Sequence, residues 1–210
     1  MGKKLIIKGA DFSENGIKEP VVLEYIKATS TSQVIVAPFA PTANMRIVAD
    51  VAVDTSDLTA GKNIFGCGYI VTSRANLCLQ CGATSGRIAL RYAKETYAGD
   101  PFVNKQFVKF DISPAHLYID NTEVTIPGEL VAAPEQFTYV GLFGTAGTQL
   151  NNVGVGVMLK HIKIYSNYAD NTSLVLDAYP SKDDNNKICL YDAVSGTYLY
   201  TNDGTNPNYE

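Results

Sequence analysis

The nine residues Met45-Arg46-Ile47-Val48-Ala49-Asp50-Val51-Ala52-Val53 place large apolar side chains at nearly every odd position and Arg46 and Asp50 at even ones. Successive side chains of a strand point to opposite faces, so this pattern fits a strand with one face in a core and the other wet or packed on small residues. The signal recurs along the chain. Val21 to Lys27, Gln33 to Ala37, Asn63 to Thr72, Ala75 to Leu79 and Gly86 to Tyr92 are rich in β-branched and aromatic residues, with Pro38, Pro41, Gly61 and Gly82 as punctuation. The later half adds Gln106 to Asp111, Ala115 to Asp120, Glu123 to Ile126, Phe137 to Phe143, Val153 to Tyr165, Ser173 to Ala178, Lys187 to Tyr191 and Thr197 to Tyr200. No stretch reads as a helix. Many short antiparallel strands without helices bury their apolar faces as a two-sheet sandwich or a barrel.

Composition permits one large domain. The chain has 210 residues, 46% hydrophobic and 18% charged, enough apolar surface to offset chain entropy. Lysine and arginine total 17 against 21 acidic residues, and no basic cluster exceeds the pair Lys3-Lys4, which argues against nucleic acid as a partner. No segment approaches the roughly 20 apolar residues of a membrane span. The start, Met1 to Lys8, is positively charged but carries only three apolar residues, Leu5-Ile6-Ile7, before Lys8, and does not read as a signal peptide. Localisation is therefore open between a virion and a cell surface or secreted setting.

Four cysteines, Cys67, Cys78, Cys81 and Cys189, are spaced too irregularly for a disulfide framework and read as buried free thiols. Cys78-Leu79-Gln80-Cys81 has the spacing of half a zinc site, yet no second pair exists, and His116 and His161 stand apart in sequence. No cofactor is expected, and structural calcium is left open.

The two ends of the strand-rich region resemble a known group. Tyr25-Ile26-Lys27-Ala28-Thr29-Ser30-Thr31-Ser32-Gln33-Val34-Ile35-Val36 is similar to the "YIxSTGTQYIDTG" opening of concanavalin A-like (laminin G-like) jelly-roll domains found in gut-bacterial surface proteins and prophage or phage structural proteins. Ile188-Cys189-Leu190-Tyr191-Asp192-Ala193-Val194-Ser195-Gly196-Thr197-Tyr198-Leu199-Tyr200 resembles their closing "CLYDKVSGKFYYNAGTG" hairpin. Val34 and Val36 stand where the pattern has tyrosine and aspartate, so any role of those polar residues does not carry over. The resemblance implies an all-β, two-sheet antiparallel jelly roll over residues 21–205, preceded by an arm or extra strand at 1–20 and followed by a loose tail at 206–210. Independently of it, Asp192 is placed to accept backbone hydrogen bonds and Gly196 to take a positive φ in a hairpin turn.

Catalysis is not expected. Retaining glycoside hydrolysis needs two carboxyls about 5 Å apart, which alternate strand positions supply. None of the glutamates, Glu14, Glu19, Glu24, Glu95, Glu123, Glu129, Glu135 and Glu210, has another acid two residues away. Asp50 and Asp54 are four apart, but Asp54-Thr55-Ser56-Asp57 reads as a solvated turn at a strand end. Gly82-Ala83-Thr84-Ser85-Gly86 reads as a hairpin rather than a nucleophile elbow.

Planar donors beside aromatic rings suit a glycan or a flat protein surface, and Arg87, Arg91, Tyr92 and Tyr97 supply two guanidiniums and two phenols within eleven residues. They are the ligand-binding candidates, with Arg87 and Arg91 on one strand face. Replacing Arg91 by alanine is expected to weaken glycan binding by more than ~1 kcal/mol. The first functional expectation is a non-catalytic particle component or receptor-binding domain of phage or prophage origin, meeting other virion proteins or a cell-surface receptor. The alternative is a secreted or surface carbohydrate-binding module; a glycoside hydrolase ranks third.

Overall fold

The computed structural model describes residues 20–57, 62–67, 77–81, 86–92, 94–126, 139–146, 150–151, 154–205 and 207–209; the expected arm lies outside them up to residue 19. Numbered along the chain, the first sheet runs β11 (Thr122–Glu123), β10 (Leu117–Ile119), β9 (Val108–Ile112), β4 (Arg46–Val53), β15 (Val157–Tyr165), β16 (Leu174–Lys182), β17 (Ile188–Asp192) and β18 (Thr197–Leu199). To it are added β1 (Val21–Val22) on β16, and β2 (Ile26–Lys27), which pairs with both β15 and β19 (Asn208–Tyr209). The second sheet runs β14 (Leu150–Asn151), β13 (Thr145–Ala146), β5 (Lys62–Cys67), β6 (Leu77–Cys81), β7 (Arg87–Tyr92) and β8 (Lys94–Pro101), with β12 (Val140–Leu142) between β5 and β3 (Ile35–Ala37). Pairing is antiparallel apart from the contact of Ala146 with Cys67. There is no helix among the described residues.

The core forms where the two sheets face each other. Ile47, Ala49 and Val51 of β4, Phe110 and Ile112 of β9, and Ile162 and Ile164 of β15 meet Phe65, Leu77, Leu79, Leu90 and Leu142 of the second sheet in one buried cluster. Alternation does the sorting, since β9 reads buried, exposed, buried, half-buried, buried. All four cysteines are buried free thiols. Cys78 and Cys81, three apart on β6, point to opposite faces of the strand and so cannot chelate one ion together.

Three departures from the expected strands have local causes. In β15 the register shifts between Leu159 and His161, so Leu159, Ile162 and Ile164 all reach the core while His161, Lys163 and Tyr165 face away; strict alternation would have put Leu159 with His161. β16 continues through Pro180, although proline cannot donate to a ladder. It sits where β15 stops pairing, at Ala178, and β1 starts, at Ser181, and its carbonyl accepts Leu23 N–H at 2.9 Å. β8 carries Gly99 and Pro101 and has weak strand propensity; it forms as the end strand of its path, paired to β7 across two register shifts.

The opening and closing motifs meet in space. Gln33, 2% exposed, accepts hydrogen bonds at Oε1 from Thr29 N–H (2.7 Å) and Ser30 N–H (3.2 Å) and donates through Nε2 to Thr205 Oγ1 at 3.0 Å. Ser32 Oγ donates to Asp203 at 2.6 Å, and Asn202 N–H to the Val34 carbonyl at 2.7 Å. Beyond them, Asn208 and Tyr209 pair with Lys27 and Ile26, so strand pairing extends into the stretch read from sequence as a loose tail.

Asp54 is not a solvated turn acid. At 4% exposure its carboxylate receives Lys27 Nζ at 2.8 Å, Lys105 Nζ at 3.2 Å and Ser56 Oγ at 2.6 Å. The Lys27 hydrogen bond, with that of Ser56, holds its pKa well below the usual carboxylate range. The cluster ties the end of β4 to β2 and to the loop before β9.

Candidate functional site

The face of the first sheet that points away from the core carries most of its polar side chains. On β9 the alternation that buries Val108, Phe110 and Ile112 sends Lys109 and Asp111 outward. Registration then fixes their neighbours: Asp111 lies opposite Val48 and Tyr118, Lys109 opposite Asp50, and Asp50 opposite His161. Residues far apart in sequence thereby share one surface.

At one side of this face Lys109, Asp111, Tyr118 and Asn121 line a cleft of about 230 Å³. That is below the roughly 300–1,000 Å³ of sites that engulf a small molecule, so the cleft suits part of a larger ligand lying on the surface. Asn121 is held by turn geometry. Asp120 and Asn121 have φ of 50° and 64°, the paired positive values of a two-residue hairpin turn between β10 and β11. Asp120 Oδ1 accepts Lys109 N–H at 2.8 Å, pinning the turn against β9.

Asp111 is the most constrained member. Arg46 donates to it from Nε (2.7 Å) and from a terminal nitrogen (2.6 Å), a bidentate pair, and His116 Nε2 lies 3.3 Å from its Oδ1. Burial alone would push its pKa up, but the Arg46 and His116 interactions outweigh that and hold it below the ordinary carboxylate value. Arg46 is itself fixed by Asn171 Oδ1 at 3.1 Å and by the Tyr165 ring 5.3 Å away. His116 packs on the Tyr118 ring with centroids 4.8 Å apart.

Across the same face β15 and β16 place His161 Nε2 at 2.6 Å and Lys163 Nζ at 3.0 Å from the Asp177 carboxylate. Here too burial pushes the carboxyl up, and the hydrogen bonds from His161 and Lys163 bring it below its ordinary value. Beyond them Tyr179, Tyr191 and Tyr198 stand in register on β16, β17 and β18, all half-buried. Their ring centroids are 5.6 and 5.3 Å apart at interplanar angles of 57° and 61°, a tilted ladder rather than a flat wall.

The sequence-derived candidates lie on the second sheet. Arg87 is exposed and Arg91 half-buried; both belong to the face of β7 opposite Ile88 and Leu90, which enter the core. Arg91 Nε is buried with no hydrogen-bond partner, beside Cys78 on the neighbouring strand. Cys78 is fully enclosed, and burial pushes its thiol up to about 12 against the lowering effect of the Arg91 charge. Gln80 and Asn63, hydrogen-bonded to each other through Gln80 Nε2 and Asn63 Oδ1, are buried nearby. Tyr97 pairs opposite Leu90 and packs against the core, so it is not brought together with the arginines; the Tyr92 side chain lies outside what is described. Sequence reasoning missed the cleft because its residues come from β9, β10 and the turn after it, with Asp111 held by Arg46 of β4. The signals present were the Lys109/Asp111 alternation and the Asp120-Asn121 turn pair, and neither says which strand lies alongside.

No protein-family model matches the chain, and no curated protein matches it. Among solved structures the chain is similar to a "putative carbohydrate binding protein" from Bacteroides ovatus ATCC 8483, with a TM-score of 0.59 and 12% identity. The match covers 88% of this chain and 59% of that protein, so the chain spans less than two thirds of its length. At this identity the likeness shows the fold: a two-sheet antiparallel β-sandwich.

Proposed function

We propose that this chain is a non-catalytic glycan-binding β-sandwich of the concanavalin A-like group, with the outward face of the first sheet as its binding surface. The observation that carries this reading is the cleft of Lys109, Asp111, Tyr118 and Asn121. It sets an ammonium, a carboxylate, a phenol and an amide around one opening, the mixed donors and acceptors that sugar hydroxyls require. Asp111 and Asn121 are pre-positioned by Arg46 and by the hairpin turn, so little ordering is lost on binding. The fold shared with the Bacteroides ovatus protein supports glycan binding over a virion component.

The same carboxylate supports the non-catalytic reading. A general acid in glycoside hydrolysis needs a raised pKa, whereas Asp111 is held ionised by its bidentate arginine. A glycan array read with the wild-type protein is expected to give binding without release of reducing ends. Lys109→Ala and Asn121→Ala should each weaken that binding about tenfold, the equivalent of ~1.4 kcal/mol. Arg91→Ala is the control for the second sheet: if it abolishes binding while the cleft variants keep it, the site is on the other face.

A further inference from the structure

The cleft is one end of a continuous row. Reading across the first sheet from β9, the outward positions in register are Lys109, Asp50, then His161, which adjoins the Ile162–Ala178 pair, then Tyr179, Tyr191 and Tyr198. Six strands at ~4.8 Å spacing make the row about 24 Å long. A single sugar would leave most of it unused.

The chemistry along the row is graded. Ionic and hydrogen-bonding groups dominate from Lys109 to His161, whose Nε2 is engaged by Asp177. From Tyr179 onward the row is aromatic, with ring centroids 5.6 and 5.3 Å apart, close to the advance of one pyranose unit in an extended chain. Pyranose rings present C–H faces to aromatic rings and hydroxyls to polar groups, and phenols offer both kinds of contact.

We infer that the ligand of this face is a linear polysaccharide bound along an internal stretch, running perpendicular to the strands from the cleft to the tyrosine ladder. This rests on the glycan reading and adds the ligand's shape and polarity: an extended chain of several units, not a terminal monosaccharide. Tyr191 is central to the aromatic half, touching both Tyr179 and Tyr198.

The test uses the full chain against soluble β-glucan, xylan, mannan, chitin oligomers and homogalacturonan, each as polymer and as a ladder from monosaccharide to hexasaccharide, with affinity measured by native affinity electrophoresis and calorimetry. For the polymer that binds, affinity is expected to climb with each added unit to at least the tetrasaccharide. Tyr191→Ala and Tyr198→Ala should each lower polymer affinity about tenfold while leaving disaccharide affinity within about twofold. Tyr198→Ala, on the last strand of the sheet, serves if Tyr191→Ala does not fold. A glycan bound equally well as a disaccharide and as a hexasaccharide, or polymer binding indifferent to both tyrosines, would overturn the extended-chain inference and leave the glycan reading standing. Failure of every polymer and oligomer to bind would remove both.

Discussion

Asp54 shows how a residue that reads as a surface turn acid becomes a structural centre. Its position four residues after Asp50, inside Asp54-Thr55-Ser56-Asp57, carries no sign of Lys27 or Lys105, which approach only when β2 and the loop before β9 close around the end of β4. Removing one partner of a buried pair leaves the other charge uncompensated, so Asp54→Asn is expected to cost about 3 kcal/mol in urea unfolding. The pH dependence has a definite sign. The folded pKa of Asp54 is depressed, so its contribution is full above the unfolded value near 3.9 and is lost as pH falls below it. The wild type should therefore lose more stability than Asp54→Asn between about pH 4 and pH 2, and equal losses would show that the pairing contributes little.

At the scale of elements, the closing hairpin was legible because its chemistry is local. Asp192 accepts Val194 N–H at 3.1 Å, Ser195 Oγ–H at 2.6 Å and, across the sheet, Asp177 N–H at 3.0 Å, while Gly196 has φ of +70°. Only the bond to Asp177, on a strand fifteen residues upstream, exceeds what the motif itself implies. Asp192→Ala would leave these donors without their acceptor in a residue 1% exposed, and a loss of about 2–3 kcal/mol is expected in thermal or urea denaturation. A loss below ~1 kcal/mol would mean that the turn holds without its carboxylate. Less local elements were harder to read. β8 has poor strand residues and forms because β7 offers an edge, and β16 passes through Pro180 because neighbouring strands change there.

For the whole molecule, the joining of the opening and closing motifs is the feature with the clearest consequence. Gln33 and Ser32 grip Thr205 and Asp203, and Asn208–Tyr209 add a strand beside Ile26–Lys27. Ending the chain at Tyr200 removes Thr201, Asp203, Thr205 and that strand together; a fall of several degrees in Tm is expected, at roughly 2–4 °C per kcal/mol for a chain of this size. An unchanged Tm would show the closure to be incidental. What the sequence by itself determined was whatever depends on near neighbours along the chain: period-two alternation that divides Met45 to Val53 and Val108 to Ile112 between core and surface, turn residues such as Gly196, and hence an all-β chain of short strands, sandwich or barrel. What only the tertiary structure decided was which strands lie side by side. That choice brought Lys109, Asp111, Tyr118 and Asn121 to one cleft, set Arg46 against Asp111, and aligned Lys109, Asp50, His161, Tyr179, Tyr191 and Tyr198 in a row. Strand order and register are set by the packing of two whole sheets around a shared core, and no window of sequence contains that information.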